Sequence, residues 1–204
     1  MKILLGSQSP RRRELLAGLD VDFRVVAIDA DEHYPEGLTG GDIPYYISRA
    51  KAEAYTAPLA EDEVLLTADT IVWVPAPQHA IDDNRRQDAC VLGGVMLGKP
   101  RDEEEARAML RMLSGRMHEV YTGVTLRTRE GMRTIADKTE VWFRTLTEEE
   151  IDYYVEKYKP LDKAGAYGVQ EWIGYVGVTK IVGSYFNVMG LPVERVWELL
   201  CDGK

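Results

Sequence analysis

The sequence predicts an α/β or α+β domain around a mixed sheet, on three observations. Short apolar strand patterns alternate along the chain with helical patterns. Two long alternating stretches, 118–129 and 132–144, are separated by Glu130-Gly131 and read as a hairpin. At 204 residues, 45% hydrophobic and 29% charged, the composition is that of an ordinary globular protein. Against a prior of roughly 150 residues per domain, that length predicts one domain over 1–204, with two lobes. A chain of this size buries a core without disulfide or metal staples.

The elements follow in order. Lys2-Ile3-Leu4-Leu5-Gly6 is a short buried strand, and Ser7-Gln8-Ser9-Pro10 leads into a helix over Arg11 to Leu19. Ser9 is its N-cap and Pro10 its first residue, because Pro lacks the N–H that a first turn leaves unpaired. Leu15, Leu16 and Leu19 supply the apolar face. Asp22 to Ile28 is a second strand, and Ile43 to Ala57 has helical spacing through Ile43, Tyr46, Ile47, Ala50 and Ala54. Val64 to Ala68 is a buried strand with Asp69-Thr70 at or near its end, before Ile71 to Val74. Residues 75–97, with Pro75, Pro77, the Asp82-to-Arg86 charges and Gly93-Gly94, read as an extended loop. Glu103 to Leu113 is a helix. Thr147 with Glu150 three residues on forms a capping box that opens a helix to Tyr158. Residues 165–190 read as a Gly-rich stretch, and Leu191 to Leu200 as a closing amphipathic helix.

Composition excludes several function classes. The net charge is −9, which argues against direct nucleic-acid binding and against an anionic membrane surface. Cys90 and Cys201 form no CxxC pair, and His33, His79 and His118 are scattered, so no disulfide framework or zinc knuckle is encoded. No apolar run approaches the ~18 residues of a membrane span, and the apolar start is too short for a signal peptide. A cytoplasmic location is expected.

Five constellations could carry chemistry. Ser7-x-Ser9-Pro10-Arg11-Arg12 places hydroxyls and arginines at a helix N-terminus, whose free N–H groups and dipole favour phosphate. A capped helix with solvated arginines is the plainer account. Gly93-x-x-x-x-Gly98-Lys99-Pro100 nearly matches a P-loop, but Pro100 replaces the Ser/Thr that holds Mg²⁺ and no clean strand precedes it. A P-loop enzyme is therefore rejected, and Lys99 remains as a turn lysine. Asp69-Thr70 follows an apolar strand, where a carboxylate can ligate Mg²⁺ or orient water; a strand-end Asp also simply caps turns. Asp29-x-Asp31-Glu32 could supply oxygen ligands or be a solvated acidic loop. Asp162-Lys163-Ala164-Gly165-Ala166-Tyr167-Gly168-Val169-Gln170 lets the backbone approach a ligand closely, as a tightly packed turn would also require.

The order and wording of these strings are more specific than any one of them. Ser-x-Ser-Pro-Arg-Arg, Ala-Asp-Thr-Ile-Val, Gly-Lys-Pro, Ser114-Gly115-x-x-His118-x-Val120-x-Thr122, the Asp162–Gln170 string and Gly190-Leu191-Pro192 closely resemble the Maf family of nucleoside triphosphate pyrophosphatases. The resemblance runs from Ile3 to Leu200. It implies an ITPase-like α/β fold, an elongated mixed sheet with flanking helices and two lobes around a central cleft. It also implies hydrolysis between the α and β phosphates, a divalent cation (Mg²⁺ or Mn²⁺) and a homodimer.

Residue by residue, the resemblance assigns Asp69 as the catalytic proton acceptor. Ser7, Arg12, Lys51 and Lys99 fall on phosphate-binding positions, and Glu32 joins Asp69 as a weaker candidate metal carboxylate. A carboxylate titrates near about 4 and is a weak base at neutral pH. Asp69 is therefore also read as orienting the attacking water. Arg11, Thr70 and Gln170 match the specificity pattern of the dTTP/UTP branch, where a 7-methyl-GTP branch has Trp, Gln and Glu. A Gln amide offers both donors and an acceptor, which suits the imide edge of uracil or thymine; a carboxylate only accepts. The sequence departs from the family pattern in the long 75–97 connection and at Glu171-Trp172, where many members have Gly after the Gln.

Two further readings stand beside this one. A nucleotide-binding regulator of cell division or septum formation would bind without turnover. A house-cleaning hydrolase would take modified pyrimidine nucleotides.

Overall fold

The computed structural model of the chain describes residues 1–76 and 93–201. The chain forms a seven-stranded mixed sheet with helices, and its contacts divide it into two compact units. The first unit comprises Met1–Thr70, Tyr121–Lys138 and Ser184–Lys204; the second comprises Ile71–Val120 and Thr139–Gly183. Three strands run from one unit into the other: β3 (Glu63–Pro75), β5 (Met117–Arg127) and β6 (Met132–Phe143).

In the first unit, β1 (Lys2–Leu5) lies parallel to both β2 (Phe23–Val25) and the start of β3, with Ile3 opposite Phe23 and Val64. Ile3, Leu4 and Leu5 are all buried, the uninterrupted apolar run expected of an interior parallel strand. The chain turns through Ser7 into α1 (Pro10–Ala17), whose Ser9 cap accepts the Arg12 N–H at 3.4 Å. Leu15 and Leu16 bury its inner side. α2 (Asp42–Ala54) buries Ile43, Ile47 and Ala52, which carries Lys51 into the unit's interior edge. The chain returns at the end as α6 (Tyr185–Met189) and α7 (Val193–Cys201).

In the second unit, β4 (Gly94–Leu97) pairs antiparallel with the later part of β3, Val72 opposite Leu97. α3 (Glu103–Leu113), N-capped by Asp102, packs on α4 (Glu148–Tyr158), where Arg107 Nε donates to Asp152 at 2.8 Å. α5 (Trp172–Gly177) leads directly into β7 (Val178–Val182), antiparallel on β6 with an irregularity between Trp142 and Phe143. Among the described residues no helix is long and apolar enough to cross a membrane.

The helix at 103–113 and the capping box at Thr147 agree with expectation, both Thr147–Glu150 hydrogen bonds being present. Other elements differ. β2 is shorter than Asp22–Ile28, its pairing with β1 ending at the Val26 N–H to Leu5 O bond. α1 stops at Ala17, leaving Leu19 outside the helix, and α2 stops at Ala54, four residues before Pro58, rather than at Ala57. The connection between β5 and β6 spans 128–131 rather than a two-residue turn, closed by the Thr128 N–H on Gly131 O. Asp69-Thr70 does not end a strand: β3 continues because β4 supplies a partner for residues 72–75. That partner lies inside the stretch expected to be loop; Asp82–Arg86 lies outside the described residues. The 165–190 stretch contains α5, β7 and α6. α5 carries two glycines, and β7 and α6 are only five residues each, too short for a periodic pattern to show.

Candidate active site

In the first unit, the loop after β1, the start of α1, the middle of β3 and the C-terminal part of α2 carry most of the expected residues. Consecutive strand residues point to opposite faces, so Asp69 and Thr70 enter different environments.

Asp69 meets Lys51. The Lys51 ammonium lies 2.8 Å from Asp69 Oδ1 and 2.8 Å from Glu32 Oε1, so two carboxylates share one cation. The Lys51 and Asp69 side chains are 14% and 15% exposed, whereas Glu32 is 56% exposed. The loop acid from 29–32 and the strand acid are thereby gathered at one point. Among the described residues no group of three or more His, Cys, Asp or Glu converges. The pair nevertheless suits Mg²⁺, which typically takes one or two carboxylates and completes its shell with water and substrate phosphate oxygens. The shared ammonium shows that this position accepts positive charge.

Thr70 meets Arg12. The guanidinium donates from Nε to Gly190 O (2.8 Å), from Nη1 to Ala68 O (2.8 Å) and Ser7 Oγ (3.2 Å), and from Nη2 to Thr70 Oγ1 (2.9 Å). Burial pushes its pKa down from the usual arginine range, and the Asp69 charge opposes that shift. Arg12 is not a solvated helix-start arginine. It ties the Ser7 loop, β3 and the turn after α6 together, with one Nη2 hydrogen uncommitted to those acceptors. Ser7 Oγ also accepts from the Ser9 N–H at 3.3 Å, which shapes the loop before α1. Arg11 lies half-buried in the first turn of α1.

The second unit carries Lys99 and Gln170. Lys99 is exposed in the turn after β4. The Gly98 carbonyl beside it accepts from Gly165 N at 3.0 Å, which ties this turn to the Asp162–Gln170 string. Gly165 adopts φ +67°, and a Cβ there would lie 2.8 Å from Val72 Cγ2, so glycine answers both constraints. The string is anchored at its ends. Buried Lys163 pairs with Asp162 (2.7 Å) and Glu171 (3.1 Å), and Tyr154 OH donates to Glu171 and accepts from Gly168 N (3.0 Å). Burial raises the Tyr154 pKa, reinforced by Glu171, so the phenol stays protonated as a donor. Tyr167 OH meets His118 Nε2 at 2.8 Å in the core. The string thus presents Gln170 half-buried, its Oε1 buried and without a hydrogen-bond partner among the described residues. Trp172 packs edge-on against Tyr153, 4.8 Å between ring centres.

Sequence reasoning gave no role to four participants: Thr122 and Asn187 behind Thr70, and Tyr154 and Glu171 behind Gln170. Thr122 stands in the Ser114–Thr122 motif, so its signal was present without its role. Tyr154 sits in an ordinary helical pattern and had none.

A family profile described as "Maf-like protein" matches residues 2–202. The chain is 50% identical over 197 residues to a dTTP/UTP pyrophosphatase of Bacteroides thetaiotaomicron, covering 96% of this chain and 93% of that one. It is 50% identical over 200 residues to one of Parabacteroides distasonis, with coverage of 98% and 94%. A Porphyromonas gingivalis protein of the same name is 47% identical over 204 residues, with coverage of 98% and 94%. Among solved structures, the Staphylococcus aureus Ham1 protein shares the fold at a TM-score of 0.50 and 15% identity, over the full length of both chains. With its motifs spread from Ser7 to Gly190 and its fold in place, the chain belongs to the Maf family.

Proposed function

We propose that this protein is a nucleoside triphosphate pyrophosphatase acting on dTTP and UTP, releasing the monophosphate and pyrophosphate. The observation that carries the reading is the pair of carboxylates, Glu32 and Asp69, sharing the Lys51 ammonium in the unit where Ser7, Arg11 and Thr70 flank a helix start. Relatives matched over more than nine-tenths of their length, at half-identical sequence, bear the corresponding name.

In this reading a water oxygen bonds to the α phosphorus while the bond to the α–β bridging oxygen breaks. Negative charge grows on the phosphate oxygens, and fixed cations lower that barrier most. Lys51 neutralises charge beside Asp69. The α1 N-terminus with Ser7 and Arg11 offers further donors. Arg12 contributes its fixed charge and its remaining Nη2 hydrogen. Asp69 orients the water and accepts its proton. Glu32 and Asp69 would hold a divalent cation, Mg²⁺ or Mn²⁺, which supplies charge neutralisation at the phosphates. Lys99 is assigned to phosphate, and Arg11, Thr70 and Gln170 to base selection. The Gln170 amide carries N–H donors, which suit a ring carbonyl beside the imide N–H. A cytoplasmic homodimer completes the reading.

The test is pyrophosphate release from a panel of nucleoside triphosphates with Mg²⁺ or Mn²⁺, for wild type and Asp69→Asn. Turnover of dTTP and UTP that falls at least ~100-fold in the variant is expected, the usual weight of a positioned acid–base group. UTP binding without pyrophosphate release would replace this reading with a nucleotide-binding regulator.

A further inference from the structure

We propose that Thr122 is a positioning residue for pyrimidine selection, because its hydroxyl directs the Thr70 proton away from the ligand and leaves Thr70 an acceptor only. This inference rests on the reading of Thr70 as a specificity residue.

Each hydroxyl has one proton to give and two lone pairs to offer. Thr70 Oγ1 accepts from Arg12 Nη2 at 2.9 Å, so one lone pair is taken. Its proton has two acceptors within reach, Thr122 Oγ1 at 3.0 Å and Gly190 O at 3.5 Å. Gly190 O already accepts from Arg12 Nε at 2.8 Å. Thr122 is fully buried, and its own proton reaches Asn187 O at 3.2 Å. If Thr122 instead donated to Thr70, Asn187 O would keep only the Gly190 N–H at 2.9 Å and Thr70 would be left with the 3.5 Å contact, which is poor for O–H···O. The chain therefore runs from Thr70 to Thr122 to Asn187 O. The second lone pair of Thr70 is what remains for a ligand.

An acceptor selects a donor. The imide N3–H of uracil and thymine is a donor, whereas cytosine N3 in the same place is an acceptor and meets Thr70 lone pair to lone pair. The arrangement discriminates dTTP and UTP from CTP through a residue that does not itself face the ligand.

The experiment compares kcat/KM for UTP and CTP in wild type, Thr122→Val and Thr122→Ser, with thermal unfolding of each. Valine keeps the volume and removes the acceptor, which frees the Thr70 proton to turn outward. We expect the UTP:CTP ratio to fall roughly tenfold in Thr122→Val, the worth of one neutral hydrogen bond. Thr122→Ser restores it. If the valine variant does not fold, Thr122→Cys is compared instead, because its thiol is a weak acceptor of similar size. A UTP:CTP ratio unchanged in folded Thr122→Val or Thr122→Cys, while wild type prefers UTP, overturns the inference and leaves the pyrimidine reading standing. A wild type with no UTP preference overturns both.

Discussion

Replacing Gly165 by Ala tests how the second unit holds the string that ends in Gln170. Two costs can be separated there. The backbone sits at φ +67°, ψ 12°, where an L side chain pays about 1–2 kcal/mol. The added Cβ would lie 2.8 Å from Val72 Cγ2, 3.1 Å from its Cβ and 3.3 Å from its Cγ1, and overpacking of this kind costs about 1–3 kcal/mol. Together Gly165→Ala is expected to lose about 2–5 kcal/mol, a large part of the 5–15 kcal/mol that holds a typical domain. The assay is urea unfolding, read as a lower midpoint at unchanged slope. Val72→Ala removes Cγ1 and Cγ2 but leaves Cβ, so in a double-mutant cycle it should relieve about 1–2 kcal/mol of the clash and none of the backbone strain. Gly165→Ala should also raise KM, because a backbone shift there displaces the Gly165 N–H that holds Gly98 O beside Lys99. A loss below about 1 kcal/mol, or no coupling to Val72, would refute the reasoning.

Two further outcomes concern pH. Burial pulls the His118 pKa down to about 3, so between there and about 6.5 the unfolded chain binds a proton that the folded one does not. Stability must then fall as pH drops below 6.5, by at most about 1.4 kcal/mol per pH unit, and His118→Gln should flatten that slope in unfolding measured from pH 7 to 4. A slope unchanged in the variant would mean that another group carries it. Glu150 is held down at about 2, chiefly by the two-pronged Arg144 contact at 2.7 and 2.9 Å and then by the Thr147 N–H. Its contribution is present above its unfolded value near 4.5 and is lost as pH falls toward 2. The pair is partly open to water, so Glu150→Gln, which keeps a capping side chain at that position, should cost about 1 kcal/mol at pH 7 and nothing near pH 2. A cost that persists undiminished at low pH would assign the effect to packing instead.

What the sequence determined by itself is whatever rests on local physics. A Ser-Pro pair sets a helix start, Thr147 with Glu150 caps α4, and Ile3-Leu4-Leu5 reads as a buried strand because neighbouring residues settle those outcomes. The wording of its motifs also brought the family within reach, and with it Asp69, Lys51 and Thr70 as residues of interest. Tertiary structure decided what depends on partners distant in sequence. β3 runs through Asp69 and Thr70 because β4 pairs with its later half, a strand hidden in a stretch with loop composition. Lys51 bridges Glu32 and Asp69 only because α2, an acidic loop and a strand meet there. Arg12 reads in the sequence as a phosphate ligand, yet most of its donors are spent on Ser7, Ala68, Thr70 and Gly190, up to 178 positions away. A hydroxyl's role follows from where its one proton goes. Only the packing of Thr122 and Asn187 behind Thr70 settles that.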